Sequence, residues 1–369
     1  MKILHVVSSL NTGGVEALLR TYQSKIDDPN IIFDYVVHGC EEGILENSIK
    51  QMNSIIYKVT PKKTNIFRNI KEMINIYKNN YDIVHIHQGP NGVINIVLAR
   101  IFSKSKVIVH NHIAYTPKSI INSIAMYFKK VIVLLFTKNL VSCSYEAGIW
   151  AYGKKNVLNE RVFILPNAID LSLFKYDATS RNEIRNINNV DDMIVIGCVA
   201  RFSDQKNHAF LVDVLNELVK KSNKYCIWFF GDGPLETTIK KRIVDLGLSA
   251  FTKFFGSVSN ISKQLNAIDL FVLPTKYEGL GIVYIESQAL GLPTFASLNK
   301  VPIETNITPL IKYLDIEKGT SLWVDEILNT KLVLNRNEYR EMVENSSFNV
   351  DIAYSSLINY YKKILGESL

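Results

Sequence analysis

Short apolar runs alternate with amphipathic stretches along most of the chain. In the first half, Lys2–Val7, Phe33–Val37, Ser54–Val59, Ile83–His87, Val107–His110, Leu140–Ser142 and Val162–Leu165 read as buried strands. Apolar positions at helical spacing fill most of the gaps and predict helices over Val15–Lys25, Ile66–Lys78, Ile94–Phe102, Ser119–Phe136 and Tyr145–Ala151. Alternation of this kind predicts a parallel sheet wrapped by helices. Pro166–Asp170 breaks the pattern, and the polar, Asn-rich stretch Asp177–Asp192 reads as a linker. The alternation restarts with Met193–Val199, Tyr225–Phe230, Thr252–Phe255, Leu270–Leu273 and Thr294–Ala296. The expected organisation is therefore two doubly wound domains, residues 1–175 and 176–350. A last helical pattern, carrying Ile352, Leu357, Tyr361 and Ile364, occupies 351–369. Two such units imply a cleft, with ligands at the carboxyl ends of the strands.

The most informative stretch starts at Leu270. An apolar strand, Leu270–Leu273, stops at Pro274-Thr275; Glu278, Gly279, Leu280 and Gly281 then lead into a helix starting near Ile282. Glu278 and Glu286 stand eight positions apart, one on the loop and one in the helix. Between them a glycine turn offers free backbone N–H groups at a helix start, an anion site. That layout suits a phosphorylated sugar: N–H groups for phosphate, one acid for a sugar, the other for ribose hydroxyls. It also fits an ordinary strand–loop–helix crossover with two surface glutamates.

Length and composition change this picture little. The chain has 369 residues, 47% hydrophobic and 21% charged, enough for two packed cores. Its apolar runs are too short for a membrane span or a signal peptide. Cys40, Cys143, Cys198 and Cys226 show no metal or disulfide spacing, which points to a reducing compartment and hence the cytoplasm. Charge is more telling. Met1–Asp170 carries 20 Lys/Arg against 12 Asp/Glu, whereas the remainder is nearly balanced. The first half therefore favours an anionic partner or membrane surface. Its basic amphipathic segments Pro61–Lys78 and Ser119–Lys138 are the candidates for a peripheral membrane face, although such helices more often pack on their own sheet. No nucleic-acid module is present.

Candidate chemistry clusters at strand ends. Gly13-Gly14 lacks the G-x-G-x-x-G spacing of dinucleotide binders, which argues against a nicotinamide enzyme; the pair either lets backbone approach a ligand or makes a plain turn. His85, His87, His110 and His112 share one strand phase and hint at a metal, but no acidic partner completes a set, so no metal is expected. His112, nearest a carboxyl end, is instead the choice for a substrate hydrogen bond. Arg201 and Lys206, five positions apart on a strand-to-helix loop, suit a diphosphate, with Asn207 expected to cap the next helix. Phe230-Gly231-Asp232-Gly233-Pro234 reads as a mainly structural turn.

Taken jointly, several elements resemble the retaining GT-B glycosyltransferases of family four, especially bacterial capsular and exopolysaccharide enzymes. They are Gly13-Gly14-Val15-Glu16, Asp82-Ile83-Val84-His85, His110-Asn111-His112, Val141–Ser144 through Gly148, Pro166–Asp170, Arg201 with Lys206-Asn207, Gly231–Pro234, and the Glu278 and Glu286 pair. The resemblance spans roughly Met1–Glu304. It implies a GT-B fold, two Rossmann-like parallel-sheet domains facing a cleft, and transfer of a hexose from a nucleotide-diphosphate sugar, with uridine expected, onto a saccharide or lipid-linked acceptor. It further implies that the second domain holds the donor and that the last helix crosses back to the first. Arg201 and Lys206 would hold the diphosphate and Glu286 the ribose. Glu278 would face the sugar ring, Leu280, Gly281, Ile282 and Val283 would offer backbone N–H groups, and Gly256-Ser257 would lie near the base. Gly14 would approach the diphosphate and His112 the donor sugar. No cofactor or metal is implied, and the setting is cytoplasmic, peripheral on the inner face of the plasma membrane. Gly281 stands where many relatives have proline, and Lys276 where serine is common. A nucleotide-sugar epimerase on the same fold and a non-catalytic sugar-binding partner subunit are the competing readings.

Overall fold

The computed structural model describes residues 1–11, 14–39, 41–113, 119–258 and 260–367. It divides the chain into two units, Met1–Ile169 with Ser347–Leu369, and Asp170–Ser346.

The first unit is a seven-stranded, all-parallel sheet. Its strands are β1 (Lys2–Val7), β2 (Ile32–His38), β3 (Ile56–Val59), β4 (Ile83–Ile86), β5 (Lys106–Asn111), β6 (Asn139–Ser142) and β7 (Val162–Ile164), in the order β3-β2-β1-β4-β5-β6-β7. Alternate residues of each strand feed opposite faces, the period-two rule made visible. Leu4, Val6, Val84, Ile86, Val107 and Val109 pack with Met73, Ile96 and Val133 from the helices of one face. Ile3, Val7, Ile83 and Ile108 pack on the other with Leu18, Leu19 and Tyr22 and with Val350, Ala353, Leu357 and Tyr361 of the helix Val350–Leu365. That C-terminal helix thus completes the core of the first unit.

The second unit holds β8 (Ile194–Val199), β9 (Tyr225–Phe230), β10 (Thr252–Gly256), β11 (Leu270–Leu273), β12 (Thr294–Ser297) and β13 (Ile311–Leu314), all parallel, in the order β10-β9-β8-β11-β12-β13. In both sheets the order reverses once, between β1 and β4 and between β8 and β11, which is where doubly wound folds bind ligands.

Two local expectations fail for identifiable reasons. The stretch read as a linker forms the helix Ala178–Asn188, started by the Asp177 side chain accepting from Thr179 N and ended by Asn189 in the left-handed region. Its polarity misled because its inner face is ionic. Arg185 Nη1 donates to Asp269 Oδ2 at 2.9 Å, Arg181 pairs with the other carboxylate oxygen, and Val195 N donates to Asp269 Oδ2 at 2.8 Å. Arg185 also caps the carbonyls of Val190 and Met193, both at 2.7 Å. Asn207 does precede the helix His208–Lys221, but in left-handed backbone (φ 57°) and without a side-chain cap.

Removing Asp269 strands two largely buried guanidinium groups. Asp269→Ala is expected to lower unfolding stability by about 3–5 kcal/mol, the cost of breaking a buried pair. A urea titration with an unchanged midpoint would refute this account of the helix Ala178–Asn188.

Candidate active site

In the second unit the loops after β8, β9, β10 and β11 are hydrogen-bonded into one rim. Phe202 N donates to Asp232 O at 2.8 Å and Gly231 N to Gly256 O at 2.8 Å, while Ser257 Oγ donates to Asp232 Oδ2 at 2.8 Å. Gly231 and Gly233 are obligatory: both have positive φ, and a Cβ would lie 2.3 Å from Ala200 O and 2.6 Å from Phe202 O. The turn expected to be structural thus buttresses the Arg201 loop. On the other side Lys276 N and Thr275 Oγ1 both donate to Gln205 O, at 2.8 and 2.9 Å. The β8 and β11 loops are thereby joined across the point where the strand order reverses.

The charged groups sit on that joint. Lys206 Nζ forms an ion pair with Glu278 Oε1, and Gln205 Nε2 donates to Tyr277 O at 2.8 Å while reaching Glu278 Oε2 at 3.4 Å. Two residues expected to meet different parts of a ligand therefore hold each other, and Gln205, missed in the sequence, helps to hold Glu278. Its signal was only adjacency to Lys206. Arg201 is exposed and makes no ion pair among the described residues. Lys276 pairs with Asp204 at 2.5 Å on the surface.

Gly281 precedes the helix Ile282–Ala289 with φ 84°, and no side chain caps that helix start. A proline ring fixes φ near −65°, so the departure from the usual proline is built into this turn. A Cβ at Gly281 would also lie 2.7 Å from the Tyr284 ring and 3.4 Å from Glu278 Cγ, so the turn is pressed against Glu278. Leu280 is buried, leaving the N–H groups of Ile282 and Val283 at the positive end of the helix dipole. Glu286, one turn on, is half-buried without a hydrogen bond or ion pair among the described residues. Burial without a partner pushes its carboxyl up to about 7. The structure brings Arg201, Lys206, Glu278, Leu280–Val283 and Glu286 onto adjoining β8 and β11 loops, with Gly256 and Ser257 on the same rim.

Gly14 and His112 belong to the first unit. Gly14 opens the helix Gly14–Gln23; its partner Gly13 lies outside the described residues. Next to Gly14, Val15 lines a cavity of about 430 Å³ with Ser8, His38, Lys62, Lys63, His87, Gln88, Asn91 and His112. No carboxylate lines it. His112 has neither nitrogen free: Nε2 lies 3.0 Å from His87 Nδ1, and Nδ1 lies 3.2 Å from Asn167 Oδ1. His87 Nε2 continues the chain to His5 Nδ1 at 3.0 Å. Because the Asn167 carbonyl only accepts, each imidazole in turn carries its proton on Nδ1. Burial lowers the His112 pKa to about 4 and that of His5 to about 3 and drives His85, His87 and His110 down as well, so all five rings are neutral. The sequence showed the His-x-His pairs, and Asn167 within Pro166–Asp170, but not that His5 and Asn167 join the histidines, which only the fold supplies.

With this geometry in view, the comparisons with known proteins are direct. Residues 180–345 match the family described as Glycosyl transferases group 1. The second unit is a group 1 glycosyl transferase domain. Over nearly its whole length the chain is similar to EpsF of Bacillus subtilis, named as a glycosyltransferase, at 26% identity over 98% of this chain and 96% of that one. It is also similar to the capsular polysaccharide biosynthesis glycosyltransferase CapH of Staphylococcus aureus, at 23% identity over 98% of each. Among solved structures, Anabaena HepE in complex with UDP superposes with a TM-score of 0.78 at 16% identity, covering 98% of this chain and 100% of that one. The chain has the GT-B fold.

Glu286 gives this site a pH signature. A carboxyl whose folded pKa lies near 7, above the ordinary glutamate value of about 4.5, adds stability below about pH 4.5 and loses it as the pH rises through 7. Glu286→Gln is therefore expected to be more stable than the native chain by about 1–3 kcal/mol near pH 8.5 and indistinguishable near pH 4. Thermal melts of both proteins across that range decide it; parallel curves would show that Glu286 titrates normally.

Proposed function

We propose that this chain is a retaining glycosyltransferase that moves a sugar from a uridine-diphosphate-linked donor to a saccharide or lipid-linked saccharide during cell-surface polysaccharide synthesis. The observation that carries the reading is the convergence of Arg201, Lys206, Glu278 and an uncapped helix start at the β8–β11 switch point of a glycosyl transferase domain. Breaking a sugar–phosphate bond leaves negative charge growing on the departing diphosphate. Fixed donors and cations stabilise that charge, each by about 3–4 kcal/mol as judged by removal.

Arg201 is available as it stands, and Lys206 becomes available when a ligand takes its place beside Glu278. On this reading the protein's own cations, instead of a metal ion, neutralise the donor diphosphate. Glu286 binds ribose hydroxyls, accepting from them through its carboxyl oxygens. Glu278 faces the sugar. Retention then follows from same-face substitution, with the leaving phosphate taking the acceptor proton. Uridine is supported by the UDP and UDP-glucose complexes of HepE, and the polysaccharide context by the name of CapH.

A cytoplasmic enzyme, peripheral on the inner face of the plasma membrane, follows from a lipid-linked acceptor and from one surface. The helix Ile120–Phe136 exposes Ile120 and Ile121, each 79% accessible, with Ile124, Tyr127, Phe128 and Leu135. Lys129 and Lys130 flank this apolar face, and no helix among the described residues is long and apolar enough to cross a membrane. An interfacial helix has this character.

Arg201→Ala and Glu286→Ala should each lower transfer from UDP-sugars by about 100-fold or more. Near-native turnover of both would remove the assignment. For the surface, the native chain should cosediment with vesicles containing anionic lipid, and Ile121→Glu with Phe128→Glu should abolish this without altering the thermal melt. Equal sedimentation of the double variant would reject the helix as the docking face.

A further inference from the structure

The histidines of the first unit, among them the His112 expected to approach the donor sugar, form the densest group of ligating side chains among the described residues. His5 lies within the buried stretch of β1, His85 lies on β4 with His87 just beyond, and His110 lies on β5 with His112 just beyond. All share the strand phase that faces the helix Val350–Leu365, so two His-x-His pairs stand side by side at the carboxyl end of adjacent parallel strands. The rings are stacked: His110 and His112 centroids lie 3.8 Å apart, and His85 and His87 4.1 Å.

Their hydrogen bonding does not close. His110 is 1% exposed, and neither of its nitrogens has a partner. A neutral imidazole carries one N–H and one lone pair, so His110 buries an unpaired donor and an unpaired acceptor together. His85 Nε2 and His5 Nε2 are also buried without partners. Each such group carries a desolvation penalty that nothing offsets, and orphans of this kind call for an ion or water among them.

We propose that His87, His110 and His112 form a binding site for one divalent transition-metal ion of the zinc type. The ligating atoms of these three residues lie within 4.8 Å of one another. His87 Nδ1 and His112 Nε2 are already 3.0 Å apart, against roughly 3.3 Å between two ligands of a tetrahedral ion with Zn–N bonds of about 2.0–2.1 Å. The ion takes the place of the proton those two nitrogens share. That proton moves to His87 Nε2, and His5 Nδ1 becomes the acceptor with its own proton on the orphaned Nε2. The site therefore loads without net proton release.

His112 Nδ1 keeps its bond to Asn167 Oδ1, the outer contact that fixes the tautomer of a metal-ligating histidine. His110 supplies the third nitrogen from its unpartnered pair. The ligands are neutral at physiological pH, as coordination requires. Three imidazoles and no carboxylate favour zinc, cobalt, nickel or copper over magnesium or calcium. The neighbouring group His5, His85 and His87 shares His87 and is less suited, because His85 Nδ1 is held by Tyr361 OH at 2.6 Å. His87 and His112 line the 430 Å³ cavity, so the fourth coordination position opens there. Lys62 and Lys63 line the same cavity, and its occupant at the metal is an oxygen anion or a water. This inference concerns the first unit and stands whether or not the donor reading holds.

The test is a titration of the tag-free, chelator-stripped full chain with Co²⁺ and then Zn²⁺. The expected result is a visible ligand-field band saturating at one equivalent and displaced by Zn²⁺, with X-ray absorption showing about three imidazole nitrogens at 2.0–2.1 Å. Asn167→Ala should weaken binding about 10–100-fold at unchanged stoichiometry, as loss of an outer contact does. Folded His110→Ala should lose the band, whereas His208→Ala in the second unit should keep it. No saturable band, an oxygen-only shell, or native affinity in folded His110→Ala would each overturn the site. Should His110→Ala fail to fold, the absorption spectrum of the native chain decides.

Discussion

A parallel sheet sends every strand's carboxyl end to the same edge, and this constraint governs both units. Right-handed crossovers place the connecting helices on the two faces, so the loops after the strands are the only segments free to approach a ligand. Where the strand order reverses, the helices of two neighbouring strands depart to opposite faces and their loops part. Between β8 and β11 that parting is bridged by backbone bonds to Gln205 O and by the Lys206–Glu278 pair. Between β1 and β4 it is filled by His5, His85 and His87. The same topology yields a polar, ionic joint in one unit and a neutral imidazole stack in the other.

The ionic joint carries an electrostatic consequence. Glu278 is 9% exposed, and its carboxylate is tolerated because Lys206 and Gln205 meet its oxygens. On the proposed function, a diphosphate approaching Lys206 would compete with that carboxylate. Arg201, which makes no ion pair among the described residues, would be open to engage the phosphate first. Glu278, freed from Lys206, would then meet sugar hydroxyls. The pair would thus be a resting contact of two ligand-binding groups, whose roles sequence spacing separated and the fold joined.

Most of the architecture was legible because buried parallel strands are apolar throughout. The run at Leu270–Leu273 and its neighbours fall where the apolar pattern put them, to within a residue or two at most ends. Legibility failed where polarity hid packing. The segment 178–188 is a helix because Arg181 and Arg185 find Asp269, 88 and 84 residues away in sequence, and no local pattern reveals that. β13 and the helix Thr320–Leu328 lay in a tail whose short runs gave no clear period. At the site, Arg201, Lys206, Glu278 and Glu286 were readable as strand-end charges. Gln205 was not, and Asn167 was readable only as part of Pro166–Asp170, because an amide announces its role only through the partners that the fold supplies.

The histidines show how far burial reshapes a residue's chemistry. On a surface, five neighbouring imidazoles would share charge near neutral pH. Here the sheet holds them in a dry layer, each ring depressing the protonation of the next, so that the cluster stays neutral. A neutral stack can satisfy its nitrogens only by passing protons in one direction, and the chain from Asn167 through His112 and His87 to His5 does so. His110 stands outside that chain, between His85 and His112, with both nitrogens unmet. An apolar residue would pack there without the desolvation penalty. An imidazole with both nitrogens outside the relay and without partners is the reason to look for a ligand that the relay does not include.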